Sequence, residues 1–447
     1  MDTHQLTDYI QQQSINKIKF AFTDIDGVLR GKIIHKEKFL KGLKDGYGFC
    51  DVVFGWDSSD VAYEDALLTG WHTGFPDRQC YIDLASQRQI PWQENILFFL
   101  ADFNDSSFCP RSLLKNIIAQ AASMGYHAVF AQEFEWFNFK ETPASLAEKE
   151  FTKLQPLTPG MFGYSILRTS QQSDFYYALY NGLMNIDVPL EGLHTETGPG
   201  VYEAAIVQDE VLHAADKVVL FKNAVKEIAS IHGIMASFMA KWSEKLPGCS
   251  GHLHQSLWDK TKTSNLFYDA TDANKMSELF KHYLAGQLYC LPHLVPMYAP
   301  TINSYKRLVE GAWAPTNINW GLDNRTTALR VLNTTEQYTR LETRIPGADS
   351  NPYLAMAAAL ASGLYGIKNK LPLTITPTTG NGYLDDKNGK LPADLFDATM
   401  QMSHSDVAKE LFGAEFVAHF TQTRLWEWKQ FSKHVTDWEL KRYFEII

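Results

Sequence analysis

Cysteine is scarce and dispersed. Five occur in 447 residues, Cys50, Cys80, Cys109, Cys249 and Cys290. No two form a CxxC pair, which excludes the usual thiolate zinc site and a disulfide scaffold. Reduced thiols in a cytoplasmic protein are expected. No apolar run approaches membrane-spanning length, and the start MDTHQLTDYIQQQ lacks the charged and apolar segments of a secretory signal. Positive charge is not in excess. The formal net charge of −10 argues against a broad nucleic-acid surface, so neither nucleic acid nor membrane is expected as a partner. A GxxxxGK[ST] phosphate loop and an HExxH zinc motif are also missing. There are no internal repeats and no low-complexity tract.

The length allows two or three domains. Aromatic residues make up 13% of the chain, which fits a large core. Residues 5–13 pattern as a short helix, and IKFAFTDIDGVLRGKIIH as two strands joined at Asp26-Gly27. ILFFLADF reads as a buried strand. PRSLLKNIIAQAASMGY (110–126) reads as a helix opened by Pro110 and closed near Gly125. A domain boundary is expected between these last two segments. Long helices are expected over 210–233 and 272–290. NPYLAMAAALASGLYGI predicts a buried helix capped by Asn351, and 372–382 an exposed loop.

The stretch AQEFEWF poses a chemical problem. In a strand, Glu133 and Glu135 share a face while Phe134 and Trp136 point into packed protein. Two such charges roughly 6 Å apart repel by about 3 kcal/mol at an effective dielectric of about 20. A shared proton, an arginine or a cation must offset this. More hard ligands follow: Glu196 and Glu203 around a Gly-Pro-Gly turn in HTETGPGVYE, His252 and His254 in GHLHQSLW, and Glu342 between Arg340 and Arg344 in RLETRIPG. Such a set suits Mg2+ or Mn2+ rather than zinc. Taken singly, each glutamate is more often an ion-pair partner and each histidine a core residue. Four segments pairing polar groups at strand spacing favour a polynuclear metal site.

Arg307, Arg325, Arg330, Arg340 and Arg344 add convergent guanidinium groups, which bind carboxylate and phosphate bidentately. Any one of them alone reads equally as a surface ion pair. Metals with arginines describe phosphoryl transfer to an anionic co-substrate. A competing signal is FTDIDGVL, which resembles the DxDG nucleophile motif of haloacid-dehalogenase-type phosphatases. The Asp385-Asp386 pair lies in a turn-like stretch, however, and LRGKIIH continues as a strand, so a hairpin turn is the expected role of Asp24 and Gly27.

The ordered motifs EFEWF, ETGPGVYE, GHLHQS, NSYKRLVEGAWAP, NRTTALRV and RLETRIPGADSNPYLAMAAAL resemble the glutamine synthetase family, and VTDWELKRYFE resembles its ending. The resemblance covers nearly the whole chain. It implies an α+β fold with an N-terminal β-grasp domain (1–107) and a catalytic domain (108–447) on a curved antiparallel sheet. It further implies two stacked hexameric rings forming a dodecamer. Carried over by motif, Glu135, Glu196 and Glu203 hold one metal; Glu133, His252 and Glu342 hold a second. Arg307, Arg344 and Gly248 match amino-acid-binding positions. Arg325 and Arg330 match arginines near the transferred phosphoryl group and nucleotide. His254, Ser256 and Arg340 fall on the nucleotide side, and Asp57 in GWDSSD matches an acid supplied by the N-terminal domain. The implied activity uses ATP to phosphorylate the γ-carboxylate of glutamate, after which an amine displaces phosphate.

Three departures stand out. Trp313 sits in VEGAWAP where the family carries the glutamate that collects ammonium, with Glu310 three residues earlier. An indole is no base but offers a cation–π face to an alkylammonium. An organic amine is therefore the expected nucleophile; a merely packing role for Trp313, with ammonium still used, is the alternative, and a non-catalytic member of the fold a third. Val201 stands where glutamine is common. The tyrosine motif that some members use for adenylylation is missing after residue 370.

Overall fold

A computed structural model of the chain describes residues 3–105 and 107–447. Fifteen strands occur among the described residues: β1 (Lys17–Thr23), β2 (Leu29–His35), β3 (Tyr47–Cys50), β4 (Asp77–Ile82), β5 (Arg88–Gln89), β6 (Ile96–Phe103), β7 (His127–Phe139), β8 (Leu190–Thr195), β9 (Val201–Ile206), β10 (Asp209–Glu210), β11 (Met235–Ser237), β12 (Gly251–Trp258), β13 (Trp320–Leu322), β14 (Leu329–Leu332) and β15 (Arg340–Thr343). The first six form one sheet, ordered β2-β1-β6-β4-β3 with β5 on β6. A hairpin, the crossing helix Lys36–Asp45 and a return strand β6 parallel to β1 give the β-grasp arrangement.

The buried run ILFFLADF has a simple cause. Leu97, Phe99, Ala101 and Phe103 face an aromatic core with Phe20, Phe22, Phe39 and Phe54. Phe98 and Leu100 face the other way, into the core of the larger domain. Both faces of β6 are covered, so the alternation of a half-exposed strand disappears. An ionic network crosses the same junction. Buried Arg111 donates to Asp102 (2.5 Å), Asp83 (2.6 Å) and Asp216 (2.8 and 2.9 Å), and the Tyr353 hydroxyl donates to Asp216 (2.7 Å).

The second sheet runs β13-β14-β15-β12-β7-β9-β8. Thirteen-residue β7 is its spine: β9 and then β10 follow one edge, β12 and then β11 the other. Phe134 and Trp136 pack on Phe221 of the helix Val211–Ile231 and on Phe238. That leaves Glu133 and Glu135 on the uncovered face. The sheet is not wholly antiparallel, because β13 and β14 at its end pair in parallel.

The expected helix over 272–290 instead spans Glu278–Tyr298. Asp272 closes a turn by accepting from the N–H groups of Asn274 and Met276, and Ser277 caps the helix. The segment 372–382 is the expected loop, irregular and largely exposed up to Gly382, but it is tethered to the sheet. Ile375 accepts from Trp320 Nε1 (2.8 Å), and Thr378 N–H donates to the Trp320 carbonyl (2.8 Å). The helix Pro352–Lys368 forms as expected, with Asn351 capping it through Tyr353 N–H. Among the described residues no helix is long and apolar enough to cross a membrane.

Candidate active site

Sheet register builds the site. Glu133 lies opposite His252, Glu135 opposite Glu203, and Glu203 opposite His194. His254 lies opposite Glu342, and Glu342 opposite Arg330. Directly opposed residues share a face, so six strands project acids, histidines and an arginine toward one surface. Beyond β8, the turn through Gly198 (φ 144°) and Gly200 (φ 72°) returns Glu196 to the same place. A ligand atom from each of His194, Glu196 and Glu203 falls within 4.8 Å of the others, and the same holds for Glu133, His254 and Glu342.

The two halves differ electrostatically. Around Glu342 the charge is balanced. Its carboxylate takes Arg330 Nη1 (2.8 Å) and Arg344 Nη1. Burial would raise its pKa, but Arg344, His254 and His252 hold it at about 2. Burial first, then Arg344, pushes His252 down to about 4, leaving a neutral imidazole. Its Nδ1 sits 3.1 Å from Glu133 and 3.5 Å from Glu342. Burial also opposes the charge on Glu133, yet hydrogen bonds from His252 and His254 keep its pKa well below the ordinary value. Across the site the balance reverses. Burial, then the charges of Glu133, Glu135 and Glu196, pushes Glu203 up to about 9. Burial raises Glu135 as well, although Ser250 N–H donates to it (2.6 Å). Four carboxylates with too little positive charge are what a divalent cation would neutralise, so the donor set fits Mg2+ or Mn2+.

His254 is close enough to serve as a ligand, but its lone pair is engaged. Arg340 Nε can only donate, and it points at His254 Nδ1 at 3.0 Å. A neutral imidazole has one lone pair, so Nε2 carries the hydrogen. His254, Ser256 and Arg340 instead line a cavity of about 520 Å3 beside Glu133, which brings the three expected nucleotide-side residues together. Arg330 is not among the residues lining that cavity; it is held by Glu342 (2.8 Å) and by Asp323 (Nε, 3.0 Å).

Arg307 is buried and, among the described residues, has no carboxylate within ion-pair distance. It donates to the carbonyls of Ile345 (2.9 Å) and Arg344 (3.3 Å), and burial lowers its pKa. Gly248 makes room for it: a Cβ there would meet Arg307 Cγ at 2.9 Å and the Ala240 carbonyl at 2.5 Å. Trp313 takes a left-handed backbone (φ 59°) and leaves 62% of its surface exposed. Its carbonyl lies 3.5 Å from Arg344 Nη2. Arg325 is exposed in the β13–β14 connection and has no ion-pair partner among the described residues.

Asp57 stands apart from the cluster. Its Oδ1 accepts from Ser59 and Val61 N–H (2.9 and 3.0 Å) and its Oδ2 from Trp426 Nε1 (2.9 Å), so both oxygens serve the N-terminal domain and its junction with the helix Ala414–Ser432. Asp24 is equally committed, to Asp26 N–H, Val28 N–H and Arg30. The phosphatase-like motif is a hairpin turn.

Three residues at the site escaped the sequence reading. His194 is two positions before Glu196, a period-two signal that was available. Tyr164 stacks on His194 with centroids 4.4 Å apart and stays 70% exposed; nothing local marks it. Tyr383 lies in the turn GYLDDKNG yet reaches the Trp313 backbone.

Comparison with known proteins agrees with this geometry. Residues 107–443 match the profile of "Glutamine synthetase, catalytic domain". The chain belongs to the glutamine synthetase family. It is 52% identical to type-1 glutamine synthetase 2 of Dictyostelium discoideum, over 96% of this chain and 84% of that one. It is 38% identical to a glutamate–isopropylamine ligase of Pseudomonas sp, over 99% and 98%. The solved GmaS/ADP complex superposes with a TM-score of 0.84 at 26% identity, covering 98% and 99%. As a glutamine synthetase family member this protein is an ATP-dependent carbon–nitrogen ligase, and the family implies ATP and a divalent metal.

Proposed function

We propose that the protein joins the γ-carboxylate of glutamate to a small organic amine. The observation that carries this reading is Trp313. Its loop presents an open indole where an ammonium-collecting carboxylate belongs, and its carbonyl is tied to Arg344, so the side chain faces outward. An indole face binds an alkylammonium by cation–π attraction, and its apolar surface accommodates the alkyl group. The resemblance to a relative named glutamate–isopropylamine ligase supports it.

In this reading Arg307 and Arg344 hold the amino acid. Glu135, Glu196 and Glu203 would hold one Mg2+ or Mn2+, and Glu133, His252 and Glu342 a second; when bound, these ions screen the meeting anions. A γ-carboxylate oxygen bonds to the terminal phosphorus of ATP and ADP leaves. The amine nitrogen then bonds to the acyl carbon, phosphate leaves and the nitrogen loses a proton. Arg325 and Arg330 carry positive charge toward the transferred group, and closure of the Trp313 loop excludes water from the acyl phosphate. We further take the chain to be cytoplasmic and to assemble as a dodecamer. The exposed Trp438, Phe444, Ile446 and Ile447 at the C-terminus are consistent with burial between copies.

A second reading, ammonium as nucleophile, is favoured by the 52% identity to a relative named glutamine synthetase. Phosphate release with ATP, Mg2+ and glutamate, measured across ammonium, methylamine, isopropylamine, ethanolamine, putrescine and an aromatic amine, decides between them. A clear preference for ammonium at normal turnover refutes the first reading.

A further inference from the structure

The peptide of Trp313 lies among donors that lack acceptors. On one side Arg344 Nη2 approaches its carbonyl, while Arg344 Nε is buried with no hydrogen-bond partner. On the other side the Tyr383 hydroxyl is buried beside the Trp313 N–H, close enough to feel it but without a hydrogen bond of acceptable geometry. Behind them Arg307 has no carboxylate within ion-pair distance among the described residues; its neighbours are the carbonyls of Ile345 and Arg344 and, at 3.5 Å, His252 Nε2. Leaving a buried hydroxyl unpaired costs about 1–3 kcal/mol, and a buried guanidinium without an acid costs more.

The position of Tyr383 is built. Gly382–Leu384 form one tight turn. Asn317 Nδ2 donates to the Gly382 and Tyr383 carbonyls (both 3.0 Å), Asn319 Nδ2 donates to the Gly382 carbonyl (2.8 Å), and Gly382 N–H donates to Thr326 Oγ1 (2.8 Å). Asn317 and Asn319 are buried, so the turn is anchored to the catalytic sheet. The charges that act on the Tyr383 hydroxyl are Arg344, Arg307 and Glu310. Tyr164, in contrast, is acted on by Glu196, Glu203 and Glu133. Tyr383 therefore belongs to the arginine end of the site, away from the carboxylate cluster.

A hydroxyl hydrogen, a free Nε–H and an unpaired guanidinium together call for one negatively charged acceptor with several lone pairs. Glu342 already serves Arg330 and the Nη1 end of Arg344. A carboxylate that must react beside the metal ligands cannot also sit here. We propose that Tyr383 is a substrate-binding residue whose hydroxyl donates to the carboxylate on the α-carbon of the amino-acid substrate, beside Arg307 and Arg344. This rests on the reading that glutamate is the acid, and it makes Tyr383 a determinant of α-amino-acid specificity.

The test compares wild type, Y383F and E310Q with glutamate and with 4-aminobutyrate, which lacks only the α-carboxylate. Phosphate release is followed with the best amine, and 4-aminobutyrate is scored as a competitor where it turns over too slowly. A hydrogen bond to a charged group is worth about 1.5–3 kcal/mol, so Y383F should raise KM for glutamate about tenfold or more. KM for the amine should hold, and the affinity for 4-aminobutyrate should not change. Equal loss on both acids would mark Tyr383 as structural and overturn the proposal, as would an unchanged KM for glutamate. A matching defect in E310Q would assign the hydroxyl to Glu310 and also overturn it. Wild type with no glutamate-dependent activity at all would instead sink the choice of acid.

Discussion

Replacing Glu203 by glutamine should stabilise the metal-free protein while abolishing its activity. In the fold without metal this carboxyl titrates at about 9 against an ordinary 4.5. Between those values the folded chain holds a proton that the unfolded chain releases. Stability therefore falls as pH rises from 4.5 to 9. At pH 7 the interval spanned is about 2.5 pH units, and at about 1.4 kcal/mol each the penalty is about 3 kcal/mol. Glutamine keeps the shape and removes the charge, so E203Q should recover much of that. With an unfolding entropy near 2.1 cal/mol/K per residue, the melting temperature should rise by about 3 °C. Differential scanning fluorimetry with EDTA measures it. Adding Mn2+ should reverse the order: wild type gains stability, and E203Q gains far less. Calorimetry in buffers of different ionisation enthalpy should show about one proton released per Mn2+ bound by wild type near pH 7. A metal-free E203Q that melts lower than wild type, or one that Mn2+ stabilises equally, would refute the electrostatic reasoning.

Trp313→Glu should move selectivity toward ammonium by about tenfold or more in kcat/KM relative to methylamine; an unchanged ratio would assign Trp313 a packing role. Arg111→Ala leaves buried Asp216 without its cation and Asp102 with Lys115 alone, and should cost about 3–5 kcal/mol, read as a lower urea midpoint; a shift below about 1 kcal/mol would contradict the domain junction described above. Asp24→Asn should keep glutamate-dependent phosphate release within about tenfold whereas Glu133→Gln abolishes it, and the reverse pattern would restore the hydrolase reading of FTDIDGVL.

Much of this site was legible because strands write their faces in steps of two. Glu133 and Glu135 between Phe134 and Trp136 announce a polar face over a packed one, and β7 carries them that way. The same period placed His252 with His254, and Glu342 between Arg340 and Arg344. What one sequence does not reveal is register. Which acid lies opposite which histidine depends on pairings between strands over a hundred residues apart, such as His252 with Glu133. The split into a charge-balanced half and an acid-rich half emerged only from the structure. Tyr383 was hidden for the same reason: its turn chemistry is plain, but its hydroxyl finds the Trp313 peptide across seventy residues. The parallel pairing of β13 with β14 arises where side chains of Asn319 and Asn324 hold a short connection, a detail that hydropathy does not encode. The late start of the helix at Glu278 follows from the Asp272 turn, whose helix-like composition hid it.

The most direct test of the central claim follows oxygen. Glutamate labelled with 18O in its γ-carboxylate is supplied with ATP, Mg2+ and the preferred amine, and the released phosphate is weighed by mass spectrometry. Activation of that carboxylate at the acid and arginine cluster predicts one 18O per phosphate. Phosphate free of label, formed at a rate matching amide production, would contradict it.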